Sequence, residues 1–372
     1  MYSQQELDDA VASGVISADA ASALRAHVEG QRSTAIPDEE QFRLITGFND
    51  IFVSIAAAIL LFAVGWIGQS IGQSTGLFIT DHGEIGPSVL APLAVAATAW
   101  GLALFFTGRR RMALPSILLL LAFVAGVLLT AGFGLVQIIG ADRTNDNVPL
   151  ETTIAGVSAA IAAAAAWLHW RRFRVPITVT AGAAAVAGLF VAVVVGVVQP
   201  QTSEAANNVI LPFVLVLGIG VFLFAMWWDS SDRGRLTRRS DVAFWLHLLA
   251  APMIVHPVFT LLGLNRGHIA LGDGAAAVAL YVVLGITALA VDRRALLVSA
   301  LAYVLYALNE LFRQFGAVEL NVALTALVIG SALLLLSAFW HQARSAIVKP
   351  LPQGLRERLP LLDRTVISQP AA

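Results

Sequence analysis

Cysteine is absent from all 372 residues, which excludes disulfides, thiolate metal sites, iron–sulfur clusters and cysteine nucleophiles together. Charge is almost as scarce. Only 13% of the residues are charged, 23 Lys and Arg against 24 Asp and Glu. The resulting net charge of -1 points neither to a nucleic-acid partner nor to a trap for acidic ligands. The chain also lacks the His-Glu-x-x-His zinc helix, the Gly-x-x-x-x-Gly-Lys phosphate loop and the Gly-x-Ser-x-Gly elbow. Gly272-Asp273-Gly274 reads as a turn, with no second aspartate inside an apolar stretch to form an aspartyl dyad. No cofactor is implied and no enzyme class is indicated. A removable signal segment is not expected either, because Glu6, Asp8 and Asp9 precede any apolar run.

What is abundant is hydrocarbon. Hydrophobic residues make up 58% of the chain and the mean hydropathy is +0.79, far outside the range of soluble domains. Ten long, almost uncharged stretches follow one another, near residues 48–72, 87–108, 113–139, 151–170, 175–198, 208–228, 242–263, 274–291, 295–316 and 319–340. Each approaches the ~20 residues needed to cross ~30 Å of lipid hydrocarbon. Backbone in lipid must satisfy its own hydrogen bonds, so these stretches are read as helices. The expected fold is all-α, a polytopic transmembrane bundle of about ten spans preceded by a small helical hairpin. The lipid bilayer is its first partner.

Orientation follows from the cations, which are retained on the cytoplasmic side during insertion. With the N-terminus placed inside, 20 of the 23 cations fall in inner segments, and only Arg143, Arg266 and Arg313 fall outside. Trp167, Trp170, Trp227, Trp228, Trp245 and Trp340 lie beside those inner segments, where an amphipathic indole prefers the interface. The arginine groups recur about every sixty residues, hinting at a repeated helical hairpin. Both termini are therefore expected in the cytoplasm.

Residues 1–47 read as a cytoplasmic helical pair and linker, 48–340 as the membrane bundle, and 341–372 as a basic, mostly disordered cytoplasmic tail against the anionic leaflet. In the first segment Ser3 with Glu6 fits a capping box, Gly14 ends one helix and Ser17 caps the next. Ala20, Ala21, Leu24 and Val28 share one face of that second helix. So small a pair needs a surface to pack on, which makes residues 1–30 a candidate docking element for a protein partner.

The acidic phrase from Glu6 to Ser17, Glu-Leu-Asp-Asp-Ala-Val-Ala-Ser-Gly-Val-Ile-Ser, then a linker and a train of apolar helices, resembles a broad group of bacterial multi-pass membrane proteins that carries only a domain-of-unknown-function label. The likeness covers chiefly the first ~70 residues and the general layout. It implies a bacterial cytoplasmic (inner) membrane protein and transfers no active-site residues.

Ionisable side chains inside spans are costly and mark the first places to seek function. The seventh stretch holds His247 and His256 beside Pro252 and Pro257, which bend a helix by withholding backbone donors. In the ninth, Tyr303, Tyr306, Glu310 and Arg313 fall within an arc of about 80°, with Asn309 beside them. His256 and Glu310 lie at similar depth, ~22 Å along their helices. Two readings stay open. In one, His256 and Glu310 face each other and bind a proton or small cation, with the tyrosines extending the path inward, because imidazole titrates near neutrality. In the other, Arg313 neutralises Glu310 and the tyrosines cap packed helices. His247 and His169 are expected beside the inner interface. Gln69, Gln73 and Gln137 are expected to make hydrogen bonds at helix ends, and Gly218 with Gly220 to allow close packing.

Two functional classes are compatible with these features. One is a small-molecule or ion transporter, since ten spans supply more helix surface than an anchor needs, with proton coupling through the polar helices as its variant. The other is a non-catalytic scaffold or sensor docking partners through residues 1–30. A water-filled mid-membrane cavity discriminates the first from the second.

Overall fold

The computed structural model describes residues 10–24, 48–81, 84–145, 147–235, 237–263, 271–294, 297–301, 304–305 and 321–362. Residues 10–24 and 361–362 belong to one compact unit and 48–360 to another. In the first, Gly14 takes a φ of +74° and the Val15 N–H donates to Ala10 O over 3.0 Å, the left-handed stop that glycine accommodates. Ser17 Oγ then accepts from Ala20 N at 3.1 Å, so the two predicted helix signals both operate.

The second unit is an antiparallel train of helices. We number them α1 (Phe48–Ser74), α2 (Leu90–Phe106), α3 (Ala113–Ile139), α4 (Ala141–Thr144), α5 (Val148–Phe173), α6 (Ile177–Val198), α7 (Ser203–Ser230), α8 (Arg238–Leu261), α9 (Leu271–Val291), α10 (Asn321–Ala338), α11 (Trp340–Val348) and α12 (Gln353–Arg356). Among the described residues six of these are long and apolar enough to span a membrane, or up to seven if the bent pair α10–α11 is one span. Leu90–Phe106 and Ala276–Val291 are shorter apolar helices. Most of the ninth expected span lies outside the described residues.

Polar residues start these helices where the chain leaves the apolar zone. Asn147 Oδ1 accepts from Leu150 N at 3.2 Å, Thr202 Oγ1 from Ala205 N at 3.1 Å and Thr237 Oγ1 from Arg239 N at 3.3 Å, each satisfying a donor left over by the first turn. Tight pairing follows the connections: α2 lies along α3, α5 along α6 and α7 along α8. Where α3 crosses α2, a Cβ on Gly126 would sit 2.8 Å from Pro92 O, so only glycine permits that approach. On the outer surface of α1, Phe52, Ile55, Ile59, Phe62 and Trp66 are all exposed. Such a face is a normal boundary with lipid and an untenable one with water.

At one end of the bundle the structure departs from an all-helical reading. Residues between α1 and α2 form an antiparallel hairpin of β1 (Phe78–Asp81) and β2 (Glu84–Ser88), paired Phe78 to Ser88, Thr80 to Ile85 and Asp81 to Glu84 with a bulge between Phe78 and Thr80. It shortens α2 to 17 residues. Gln69 holds the hairpin to α1: its amide Nε2 donates to Gly86 O over 3.1 Å and its Oε1 accepts from Ser88 N over 2.8 Å. Gln137 similarly donates to Gly76 O over 3.1 Å. These are the expected helix-end roles. Gln69→Ala should lower stability by about 1–3 kcal/mol, since two backbone partners lose their bonds; an unchanged thermal midpoint would contradict this.

The opposite end carries most of the arginines, and its turns share one conformation. Arg111, Arg174 and Arg235 each have φ 54° and Asp292 has φ 59°, a left-handed residue at the turn joining α2 to α3, α5 to α6 and α7 to α8, and at the turn after α9. The sixty-residue spacing of the arginine groups thus coincides with a recurring backbone bend.

The tail expected to be mostly disordered is folded at this same end as far as Pro360. After α10 the chain bends by 74° into α11, whose Trp340, Arg344 and Val348 point inward at a spacing of four. Its basic, proline-containing composition suggests a disordered arm against the anionic leaflet. It is ordered because the Trp340 indole finds an acceptor and the Arg344 guanidinium an ion-pair partner in Asp292. Residues 363–372 lie outside the described residues.

Candidate functional site

The buried face of α8 runs through Ser240, Ala243, His247, Ala250 and Ala251, at the three-and-four spacing of a packed helix. An imidazole therefore occupies a position where the pattern asks for an apolar side chain, and it faces α7. There the final turn points Asp229 into the bundle while Trp227, two residues earlier, remains outside. The turn after α9 brings in Arg293.

These three side chains meet. Arg293 Nη2 lies 2.6 Å from Asp229 Oδ1, Arg293 Nε donates to Asp229 Oδ2 over 3.2 Å, and His247 Nε2 lies 3.1 Å from the same Oδ2. Arg293 Nη2 also donates to Ser240 O over 3.0 Å. Asp229 is 0% exposed, His247 1% and Arg293 3%. The ring of Phe222 stands edge-on to His247 at 5.1 Å, and Phe244 presents its ring 5.8 Å from the Arg293 guanidinium carbon. A buried charge is tolerated only with an opposite charge and further hydrogen bonds around it, and the bidentate guanidinium supplies both.

A second carboxylate lies in the same turn. Asp292 accepts from Arg235 Nη1 over 2.9 Å and from the indole Nε1 of Trp340 over 2.8 Å, with Arg344 Nε at 3.7 Å. Arg235 Nη2 donates onward to Asp292 O over 3.0 Å. The two turns are thus cross-linked reciprocally. The α7–α8 connection offers Asp229 and Arg235, the turn after α9 offers Arg293 and Asp292, and each acid binds the other's guanidinium.

With Nε2 of His247 turned to the carboxylate, its Nδ1 has no hydrogen-bond partner among the described residues. Nδ1 is the atom at which the Asp229 cluster can take up a proton or a polar ligand group. Among the described residues no set of three or more His, Asp or Glu side chains is grouped as metal ligands.

Placement of the other candidate residues is mixed. His247, expected beside the interface, is enclosed within the bundle, where Asp229 provides it with a polar partner. His169 is likewise enclosed at 0% exposure, with Nδ1 3.3 Å from Thr178 Oγ1 and the rings of Trp100 and Phe173 at 6.0 and 4.6 Å. His256 is exposed. Nine residues of α-helix turn it about 180° from His247, so a single face of α8 does not carry both. Tyr303, Tyr306, Asn309, Glu310 and Arg313 lie outside the described residues, and with them the pairing of His256 and Glu310. Asp229 and Arg293 were not legible as a site from sequence: the arginine counted only as a cation of an inner turn. The available signal was an acid placed directly after two tryptophans at the end of an apolar run, Trp227-Trp228-Asp229.

The helices and their apolar exterior define the class: an integral membrane protein of the all-α type, in contact with the lipid bilayer. No family model, curated protein or solved structure matches the chain.

Proposed function

We propose that this chain is a proton-coupled transporter of a small molecule or ion in the bacterial cytoplasmic membrane, crossing it about ten times with both termini in the cytoplasm. The observation that carries this reading is the Asp229–His247–Arg293 cluster, three ionisable side chains enclosed between membrane helices. Ionisable groups at such positions cost several kcal/mol on insertion scales and recur where protons or ions move. In this reading His247 takes the proton at Nδ1, and the change in its charge is felt at once by the carboxylate that Arg293 shares. The cation asymmetry supports the orientation. The phrase from Glu6 to Ser17 supports membership of the bacterial multi-pass group it resembles.

Reconstituted in vesicles with a pH-sensitive dye inside, the protein is expected to move protons when given its substrate. His247→Gln, which keeps a polar side chain and removes the titrating ring, should reduce that flux at least about tenfold. Loss of flux in Glu310→Gln with full flux in His247→Gln would move the proton site to the outer pair His256–Glu310. Absence of both proton movement and any ligand-dependent thermal shift across a broad panel would sink the transport reading.

The scaffold or sensor reading is favoured by one feature of the first unit, the exposure of Val15 and Leu24, at 76% and 42%, beside a buried Ala21. On that reading residues 1–30 dock a protein partner. A partner captured by the full-length chain and lost in Val15→Asp with Leu24→Asp is its expected signature.

A further inference from the structure

The tail beyond α11 has a distinctive attachment. Its residues 352–358 are exposed, yet Leu359 is 8% exposed and Pro360 is buried. Two arginines hold this far end by its backbone. Arg233, in the α7–α8 turn, donates from Nε to Leu359 O over 2.9 Å and from Nη2 to Arg356 O over 3.1 Å. Arg344, on α11, donates from Nη2 to Pro360 O over 2.8 Å while its Nε lies 3.7 Å from Asp292. α11 itself is packed through Trp340, Ala343 and Ile347 against Ala251, Ala288, Leu289 and Leu297. An exposed segment fixed at its tip by a few side-chain bonds to carbonyls is a local unit of low stability on a well-packed base.

We propose that residues 349–360 are a strap that closes the arginine-rich end of the bundle reversibly. Fastened, it ties the turn after α7, through Arg233, to the Asp292 turn after α9, through Arg344. Those are the same two turns whose crossed ion pairs enclose Asp229 and His247. Unfastened, it removes one of the ties between these turns, and the enclosed cluster comes within reach of the aqueous face. The strap's purpose in a transport cycle rests on the reading above, whereas its opening and closing do not.

Because the chain has no cysteine, one introduced thiol reports one site. Leu359→Cys reports the strap, Ser240→Cys the enclosed end of α8, and Gly354→Cys serves as the exposed reference. In the otherwise unaltered full chain a membrane-impermeant maleimide should label Leu359→Cys and Ser240→Cys far more slowly than Gly354→Cys. Adding Arg233→Gln should accelerate both at least about tenfold without lowering the cooperative unfolding temperature of the bundle. The strap is refuted if Leu359→Cys labels as fast as Gly354→Cys from the start, if Arg233→Gln leaves both rates unchanged, or if only Leu359→Cys responds. Should Arg233→Gln fail to fold, amide exchange on the unaltered chain decides. Amides of residues 353–359 must exchange through an opening much easier than that of α8, and equal protection overturns the proposal. Proton flux is read separately. Flux without strap opening removes the strap alone, and strap opening without flux removes the transport reading alone.

Discussion

Asp229→Ala is expected to cost about 3–5 kcal/mol of stability, the range for breaking one partner out of a buried ion pair. Arg293 is 3% exposed and would lose the carboxylate that both its Nε and Nη2 engage, while His247 Nε2 would lose its acceptor. Replacing the pair together, as Asp229→Leu with Arg293→Met, should recover most of that loss, because no charge is then stranded and the space stays filled. Unfolding in detergent, followed by helical circular dichroism against added denaturant, measures both variants. A loss below about 1 kcal/mol for Asp229→Ala would mean that water reaches the carboxylate and the pair behaves as a surface one.

Gly218→Leu is the second large effect. A Cβ on Gly218 would lie 2.9 Å from the carbonyl carbon, the oxygen and the Cβ of Met253. The side chain of Met253 can move aside, but its backbone is fixed in α8 between Pro252 and Pro257. Pro257 brings no N–H to the Met253 carbonyl one turn earlier, so that carbonyl lacks its usual helical donor where α7 approaches it. Forcing the helices apart should cost about 1–3 kcal/mol. Because α7 and α8 carry Asp229 and His247, it should also disturb the cluster. Gly220→Ala is the control: nothing lies within 4 Å of a Cβ there, and alanine should stabilise by up to ~1 kcal/mol through helix propensity. Equal effects at the two glycines would remove the close approach as the cause.

The bundle was legible because its solvent is written in composition. The stretch 113–139 is α3 residue for residue, and 48–72 ends two residues short of α1. Long apolar runs report where lipid must be, with no knowledge of what packs on what. The hairpin at Phe78 to Ser88 was missed because its strands are four and five residues long, too short for alternation to stand out. The folded tail was missed because its order depends on partners elsewhere in the chain, with Arg233 bonding carbonyls more than 120 residues away. The same reason hid the site. His247 carries its signal alone, as an imidazole on an apolar helix, but Arg293 becomes a site residue only through an aspartate 64 positions earlier. Long-range pairing of two turns leaves no periodicity to read.

The recurring left-handed turn has a consequence for how the sequence was shaped. At Arg111 and Arg174 the backbone stands at φ 54° with both side chains exposed, a conformation that costs a β-carbon-bearing residue about 1–2 kcal/mol and glycine almost nothing. The finished fold would gain from glycine there, yet it carries arginine. In the proposed orientation the charge has a use at an earlier moment, when each hairpin is threaded into the bilayer and a cation biases which end stays behind. On that reading biosynthesis outranks the equilibrium state at these corners. Arg174→Gly should accordingly yield a protein that is harder to melt once correctly inserted, and a larger fraction of chains inserted the wrong way round.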